Sequence, residues 1–198
     1  MSHSEDLLTL RTLVSPLYTF SEDEWEYFAD LWKPFTAKRK TLLLAAGETE
    51  KYLYFVTEGV QRAFSISEQE KDVTLVFTYA PSFSGVVDSF LNQKPSRYYM
   101  ETLTASRFIR ITYTQLQEMM KRYPSFQSFI IKSLSITLAG VLERQIELQC
   151  FSAEQKFVAL LKRSPHVLRL IPHKYLASYL GIDATTFSKL LGTIKLSI

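Results

Sequence analysis

Side chains with contact chemistry to offer gather near the C-terminal end, in the run IPHKYLASYLGIDATTFSKLL, Ile171 to Leu191. The ammonium groups of Lys174 and Lys189 can neutralise phosphate, and the hydroxyls of Thr185, Thr186 and Ser188 can hydrogen-bond to base edges or phosphate oxygens. Bond-making chemistry finds little support elsewhere. The chain has three histidines, His3, His166 and His173, and one cysteine, Cys150. From these no catalytic triad, zinc spacing or iron–sulfur ligand set can be assembled. A jelly-roll metal oxygenase would need His and carboxylate ligands on interior strands; only Asp72 and Asp88 stand where they could face inward, and both read better as turn or surface residues. No metal, no cofactor and no enzymatic activity are therefore expected. Cys150 cannot form an internal disulfide and reads as a buried or interface thiol.

The elements that must hold the Lys and Thr groups are two helices crossing at a tight turn. Leu176, Leu180, Ile182, Phe187 and Leu190 are apolar where a helix-turn-helix buries its side chains, and Ala177 is small where the helices come closest. Gly181 falls at the turn, which needs a positive φ. Asp183 is placed to cap the second helix through the amides of Thr185 or Thr186, and Pro172 suits the first turn of the first. An ordinary helical hairpin in a core would share this pattern. A DNA-binding unit would direct Ala184, Thr185, Ser188 and Lys189 to bases in the major groove of double-stranded DNA and His173, Lys174 and Thr186 to the backbone, with Tyr175, Tyr179 and Phe187 left for packing. Charge distribution agrees: from residue 151 onward seven basic residues face two acidic ones, so the first 150 residues carry −2 of a total of +3.

Composition, 46% hydrophobic and 22% charged over 198 residues, is that of an ordinary globular chain. The start, MSHSEDLLTLRTLV, has no signal-peptide pattern, and no apolar run approaches membrane-spanning length. A cytoplasmic location and no membrane partner are expected. SEDEWEYFADLWKPF reads as a helix capped by Ser21 and Glu24, carrying Trp25, Phe28 and Leu31 or Trp32 inward and ending near Pro34. From Lys38 to about Ile111 the period shifts toward two in short β-branched and aromatic runs: TLLLA, YLYFVTEG, VQRAFSIS, DVTLVFTY, SRYYMETLT and SRFIRIT. Without crossover helices these predict a jelly-roll barrel. Tyr113 to Tyr123 reads helical, and Phe126 to Gln149 is one long helix with Phe126, Ile130, Leu134, Leu138, Val141, Leu142 and Leu148 along an apolar stripe. The stripe serves either a homodimer seam or burial against the chain's own barrel. The fold expected is α+β, divided into a barrel with flanking helices at 1–123, a long dimerisation helix at 124–150, with Phe126, Ile130, Leu134, Leu138, Val141 and Leu142 at the seam, and a helix-turn-helix domain at 151–198.

Barrel, long helix and helix-turn-helix in this order resemble the Crp/Fnr family of transcription regulators, from about Phe20 to Lys195. AAGETEKYLYFVTEGVQRAF is similar to the family's opening hairpins, with Gly47 and Gly59 at turns. YAPSFSGVVDSFLNQKPSRYYMETLTASRFIRI is similar to its phosphate-binding cassette, and IELQCFSAEQKFVALLKRSPHV to the join with the DNA-binding domain. The resemblance implies a double-stranded β-helix effector domain resembling cyclic-nucleotide-binding domains and a winged-helix-like C-terminal domain, lacking a clear wing as in a Bacteroidetes-type subgroup.

Departures from the family narrow the function. Its nucleotide-binding members pair a Gly-Glu, whose carboxylate holds ribose, with a downstream Arg on the cyclic phosphate. Here Gly85 is followed by Val86, and Ser96 stands in place of Arg; Arg97 is one residue along, and a one-residue slip in a strand turns its side chain to the other face. Without a cation a buried phosphate loses the bonds that offset its desolvation, so cyclic nucleotides are not expected. Phe83, Phe90, Tyr98 and Tyr99, near Gly85, Val86, Ser96 and Arg97, either line a site for another small-molecule effector or fill it. In the second helix the family often presents an Arg-Glu pair and a further Arg, where this chain has Ala184, Thr185, Ser188 and Lys189. The other reading left open is a ligand-binding or protein-interaction barrel with a degenerate helix-turn-helix.

Overall fold

The computed structural model describes residues 2–193; Met1 and residues 194–198, including Lys195, lie outside the described residues. Two helices open the chain, α1 (His3–Val14) and α2 (Glu22–Leu31). Each begins with a reciprocal capping box, Ser2 with Glu5 and Ser21 with Glu24. In the second, the Ser21 amide donates to the Glu24 carboxylate at 2.9 Å and the Glu24 amide donates to the Ser21 hydroxyl at 3.2 Å. As expected, α2 sends Trp25, Phe28 and Leu31 inward, and Trp32 follows them. The first helix was not evident in the sequence, because only Asp6, Leu10 and Val14 of it are buried.

Among the described residues eight strands follow: β1 (Lys33–Ala37), β2 (Leu42–Leu44), β3 (Tyr52–Glu58), β4 (Val60–Ile66), β5 (Asp72–Tyr79), β6 (Ser82–Ser84), β7 (Tyr99–Thr102) and β8 (Ser106–Thr112). They form two antiparallel four-stranded sheets, ordered β1-β8-β3-β6 and β2-β7-β4-β5. The period-two reading located six of them. It missed β1 and β6, short strands beside the prolines Pro34 and Pro81, and the one-and-a-half-turn helix α3 (Val87–Asn92). Alternation sorts the first sheet into two faces. Leu53, Phe55, Ile109 and Ile111 turn toward the helices, where they join Trp32, Phe28, Phe90 and Phe126 in the main core. Tyr54, Val56 and Phe108 turn into the barrel with Phe35. Gly59 makes the turn between β3 and β4 at φ +91°, and a Cβ there would overlap the Ser106 hydroxyl and the Ala105 carbonyl oxygen.

Helix α4 (Tyr113–Arg122) is capped by Thr112 and Gln115, and α5 (Phe126–Cys150) runs 25 residues. Only the first turn of α5 joins the core: Phe126 and Phe129 are buried, and half-buried Ile130 packs against the same cluster. Phe126, 0% exposed, is therefore corrected from the dimer seam to the chain's own interior, and Ile130 is largely spent there too. Beyond them Ile131, Leu134, Leu138, Val141 and Leu148 are exposed at spacings that, with Gln145, repeat three-four-three-four-three, a strict heptad. A second expectation is corrected as well, since by length and composition α5 is long and apolar enough to cross a bilayer. Charged Lys132, Glu143, Arg144 and Glu147 punctuate it. Cys150 ends it exposed, which removes the buried reading of that thiol.

The C-terminal part comprises α6 (Ala153–Arg163), α7 (Val167–Leu170), α8 (His173–Leu180) and α9 (Ala184–Thr193). Among the described residues no strand follows Thr112, so this part is helical and shows no wing, as the sequence had suggested.

Candidate nucleic-acid interface and effector barrel

The turn between α8 and α9 forms as its residues dictate. Gly181 adopts φ +66°, left-handed, and its amide and that of Ile182 close the end of α8 on the Ala177 and Ser178 carbonyls. Asp183 caps α9 chiefly through Thr186: the Thr186 amide donates to one carboxylate oxygen at 2.8 Å and its hydroxyl to the other at 2.6 Å. These bonds, the hydroxyl first, hold the Asp183 carboxyl below its ordinary value. Pro172 sits one residue earlier than expected, at the cap position of α8.

Leu176, Ala177, Leu180 and Phe187 are buried, with Ile182, Leu190 and Leu191 partly so, packed with Phe157, Leu160 and Leu161 of α6. That core leaves Ala184, Thr185, Ser188 and Lys189 exposed on one face of α9, spaced i, i+1, i+4, i+5. His173 and Lys174 are exposed at the start of α8, and half-buried Thr186 is occupied by the cap. His173 lies against the Phe187 ring at 5.3 Å and the Lys174 ammonium over Tyr175 at 4.7 Å.

Barrel and helix-turn-helix share this core, which no sequence signal indicated. Helix α8 covers β5, the edge strand of the second sheet. The Thr74 amide donates to the Ser178 hydroxyl at 2.9 Å, and that hydroxyl donates to the Asp72 carbonyl oxygen at 3.1 Å, so a helix side chain satisfies the open edge. Tyr179 packs on Phe77, Tyr79 on His166, and Val60 and Leu103 enter the same cluster as α6. Arg62 anchors the contact. Only 2% of its side chain is exposed; it pairs with Asp72 at 2.5 Å and Glu101 at 2.7 Å, and lies 3.9 Å from the centre of the Tyr175 ring. At the other end of the domain Glu147 of α5 joins Arg144 at 2.8 Å and Arg163 of α6, while the Arg144 guanidinium donates to the Tyr179 carbonyl oxygen at the C-terminal end of α8.

The barrel residues do not form one pocket. Phe83 and Phe90 belong to the helix-facing core, whereas Val86 and Tyr98 cluster with Leu44 and Met100 on the opposite side, and Tyr99 stacks on Phe64 at 5.1 Å. Buried Ser96 spends its hydroxyl on its own chain, donating to the Tyr98 carbonyl oxygen and accepting from the Tyr98 amide, both at 2.8 Å. Arg97 next to it is exposed, but both residues lie in the loop and bend before β7, so strand alternation does not set their directions.

Sequence reasoning missed Glu50, 1% exposed. Its carboxylate accepts from the amides of Lys51, Tyr52 and, at 3.4 Å, Val86, so a carboxylate of the chain occupies the cassette's amide donor beside Gly85. Burial raises its pKa against the opposing effect of those amides. Arg110 of β8 lies near Glu50 on the same side, its guanidinium 3.9 Å from the centres of the Phe35 and Tyr52 rings.

Comparison with known proteins agrees with this architecture. The model of the cyclic nucleotide-binding domain matches residues 34–123. Over 166 residues the chain is 26% identical to the fumarate and nitrate reduction regulatory protein of Vibrio cholerae, a match that covers 78% of this chain and 66%, just under two thirds, of that protein. In fold it is similar to FixK2 from Bradyrhizobium japonicum, with a TM-score of 0.70 at 13% identity over 81% of this chain and 83% of the other. The catabolite activator protein of Thermus thermophilus gives a TM-score of 0.57 at 18% identity, over 90% and 85%.

Proposed function

We propose that the chain is a regulator of the Crp/Fnr type, as its likeness to the cyclic nucleotide-binding domain and to a fumarate and nitrate reduction regulatory protein suggests, and that it binds double-stranded DNA as a homodimer and regulates transcription in the cytoplasm. The observation that carries this reading is α9. Its core-facing side is spent on Phe187 and Leu190, and the opposite side offers solvent a small apolar group, two hydroxyls and an ammonium. Ala184 and Thr185 suit a thymine methyl and Ser188 either base, while Lys189 meets guanine or phosphate and His173, Lys174 and Thr186 serve the backbone. Domains follow the same division: barrel at 1–123, seam helix at 124–150, DNA-binding unit from 151.

The heptad of α5 supports a parallel two-fold seam, with Ile131, Leu134, Leu138 and Val141 covered by a second copy. Half-sites would then lie about one helical turn apart. Cyclic AMP and cyclic GMP are not effectors in this reading. Val86 is apolar and buried, Ser96 is satisfied internally, and a phosphate would meet the Glu50 carboxylate at the cassette. Calorimetry with either nucleotide is expected to give no saturable heat.

Selection from a random duplex library tests the main reading. An enriched two-fold symmetric motif is expected; salt-sensitive binding with no enriched motif would favour a degenerate interaction module instead.

A further inference from the structure

Three cations in a row, Lys38, Arg39 and Lys40, lie in the turn between β1 and β2, and all three are exposed. One buried residue holds that turn. Thr102 of β7, 0% exposed, donates its hydroxyl to the Lys38 carbonyl oxygen at 2.6 Å and accepts on it from the Thr41 amide at 2.9 Å. Its carbonyl oxygen accepts from the Lys40 amide at 2.8 Å, and its amide donates to the Thr41 carbonyl oxygen at 3.0 Å. Lys40 sits at φ +60°, a left-handed conformation that a lysine keeps only where its surroundings enforce it. Carboxylates of the neighbouring strands are engaged elsewhere, Glu101 with Arg62 at 2.7 Å and Glu58 with Arg107 at 3.8 Å. Among the described residues none of the three cations has a carboxylate in ion-pair range.

The turn lies at the end of the barrel on which the C-terminal unit docks. Leu103 follows Thr102, and its amide donates to the Val60 carbonyl oxygen at 2.8 Å; both Leu103 and Val60 share a hydrophobic cluster with Phe157 and Leu160 of α6, Val167 of α7 and Ile171. Exposed Arg169 and Lys174, within three residues of Ile171, add positive charge from the unit itself. We propose that Lys38, Arg39 and Lys40 bind phosphates of the duplex that runs on beyond the half-site under α9, so that the barrel as well as the helix-turn-helix holds DNA. A turn already ordered by Thr102 loses little freedom on binding, and its charge matches a backbone with one phosphate per about 1.7 Å of duplex. Such contacts add affinity and fix orientation without reading sequence. The proposal rests on the DNA-binding reading and extends it to a surface outside residues 151–198.

Salt titrations of the full chain test it with the motif enriched from the random library, carried once in a duplex of about 20 base pairs that ends with the half-sites and once in a duplex of about 40 with mixed-sequence flanks. For the wild type the longer duplex is expected to steepen the slope of log affinity against log salt by about 2 to 3 per protomer, since each neutralised phosphate contributes about 0.9. That comparison needs no variant to fold. Lys38→Gln with Arg39→Gln and Lys40→Asn removes the charge and puts at position 40 a residue that tolerates the left-handed conformation. The triple variant should lose the long-duplex excess and keep both the short-duplex slope and the circular dichroism of the wild type, whereas Arg39→Lys should keep the excess. Equal wild-type slopes on the two lengths, or an excess that survives in the triple variant, would overturn the proposal and leave the turn to another anionic partner. A loss of equal size on both lengths would overturn it too, by placing the three cations over the half-sites. If no motif is enriched, the DNA-binding reading fails and the proposal with it; an enriched motif without a length effect sinks the proposal alone.

Discussion

Gly59 and Glu147 show how much one side chain, or its absence, can decide here. A Cβ at Gly59 would overlap the Ser106 hydroxyl and the Ala105 carbonyl at a φ that L-residues rarely adopt. Gly59→Ala is expected to cost about 2–4 kcal/mol, a strain of about 1–3 kcal/mol plus the clash, read as a lower denaturant midpoint. Arg163 holds the Glu147 carboxyl below its ordinary value against the opposing effect of burial, and Arg144 adds to it. A carboxylate with a depressed pKa contributes stability above its unfolded value of about 4.3, and loses it as pH falls through the lower folded one. Glu147→Gln should therefore cost about 1.5–3 kcal/mol at neutral pH and flatten the acid limb of the stability profile; an unchanged limb would remove Glu147 from that role. On α9, Lys189→Ala and Lys174→Ala are each expected to lower the salt slope of DNA affinity by about one counterion, whereas Ser188→Ala and Thr185→Ala should relax base preference at a cost of about 1 kcal/mol or less.

Helix α5 does two jobs along one axis. Its first turn completes the core through Phe126 and Phe129, and from Ile131 onward its apolar side chains are left to water. The two parts should respond differently. Phe126→Ala is expected to destabilise the folded chain by about 3–5 kcal/mol through a buried cavity. Leu134→Glu with Leu138→Glu should leave the monomer fold intact by circular dichroism and abolish association in light scattering. A wild-type monomer at micromolar concentration that the double variant does not change would refute the seam.

The packing of α8 on β5 joins the two ends of the molecule into a single body of contacts, with Arg62 at its centre. Removing Arg62 strands Asp72 and Glu101 beside a half-covered sheet edge. Arg62→Ala is expected to cost about 3–5 kcal/mol, as for other broken buried pairs, and to raise hydrogen exchange in α8 more than in β3 or β8. Uniform loss of protection across both regions would mean that Arg62 supports the barrel alone.

What was legible in the chain was local. The Ser21–Glu24 capping box, the period of β3, β4 and β8, the bounds of α5 and the Gly181–Asp183 turn all rest on interactions within a few residues, so spacing alone reveals them. Other features depend on which surfaces meet at long range. Phe83 and Phe90 look like neighbours of Tyr98 in sequence, yet Phe83 in β6 and Phe90 in α3 pack in the main core while Tyr98, just before β7 of the second sheet, packs with Leu44 and Met100. Phe126 reads as part of the same stripe as Leu134 until α2 packs over it. Neither the burial of Glu50 against the Val86 amide nor the docking of Ser178 on the β5 edge leaves a mark in spacing, because each pairs residues more than thirty positions apart. Such contacts are set by the closure of the barrel and the path of α5, and with them the shape of every pocket.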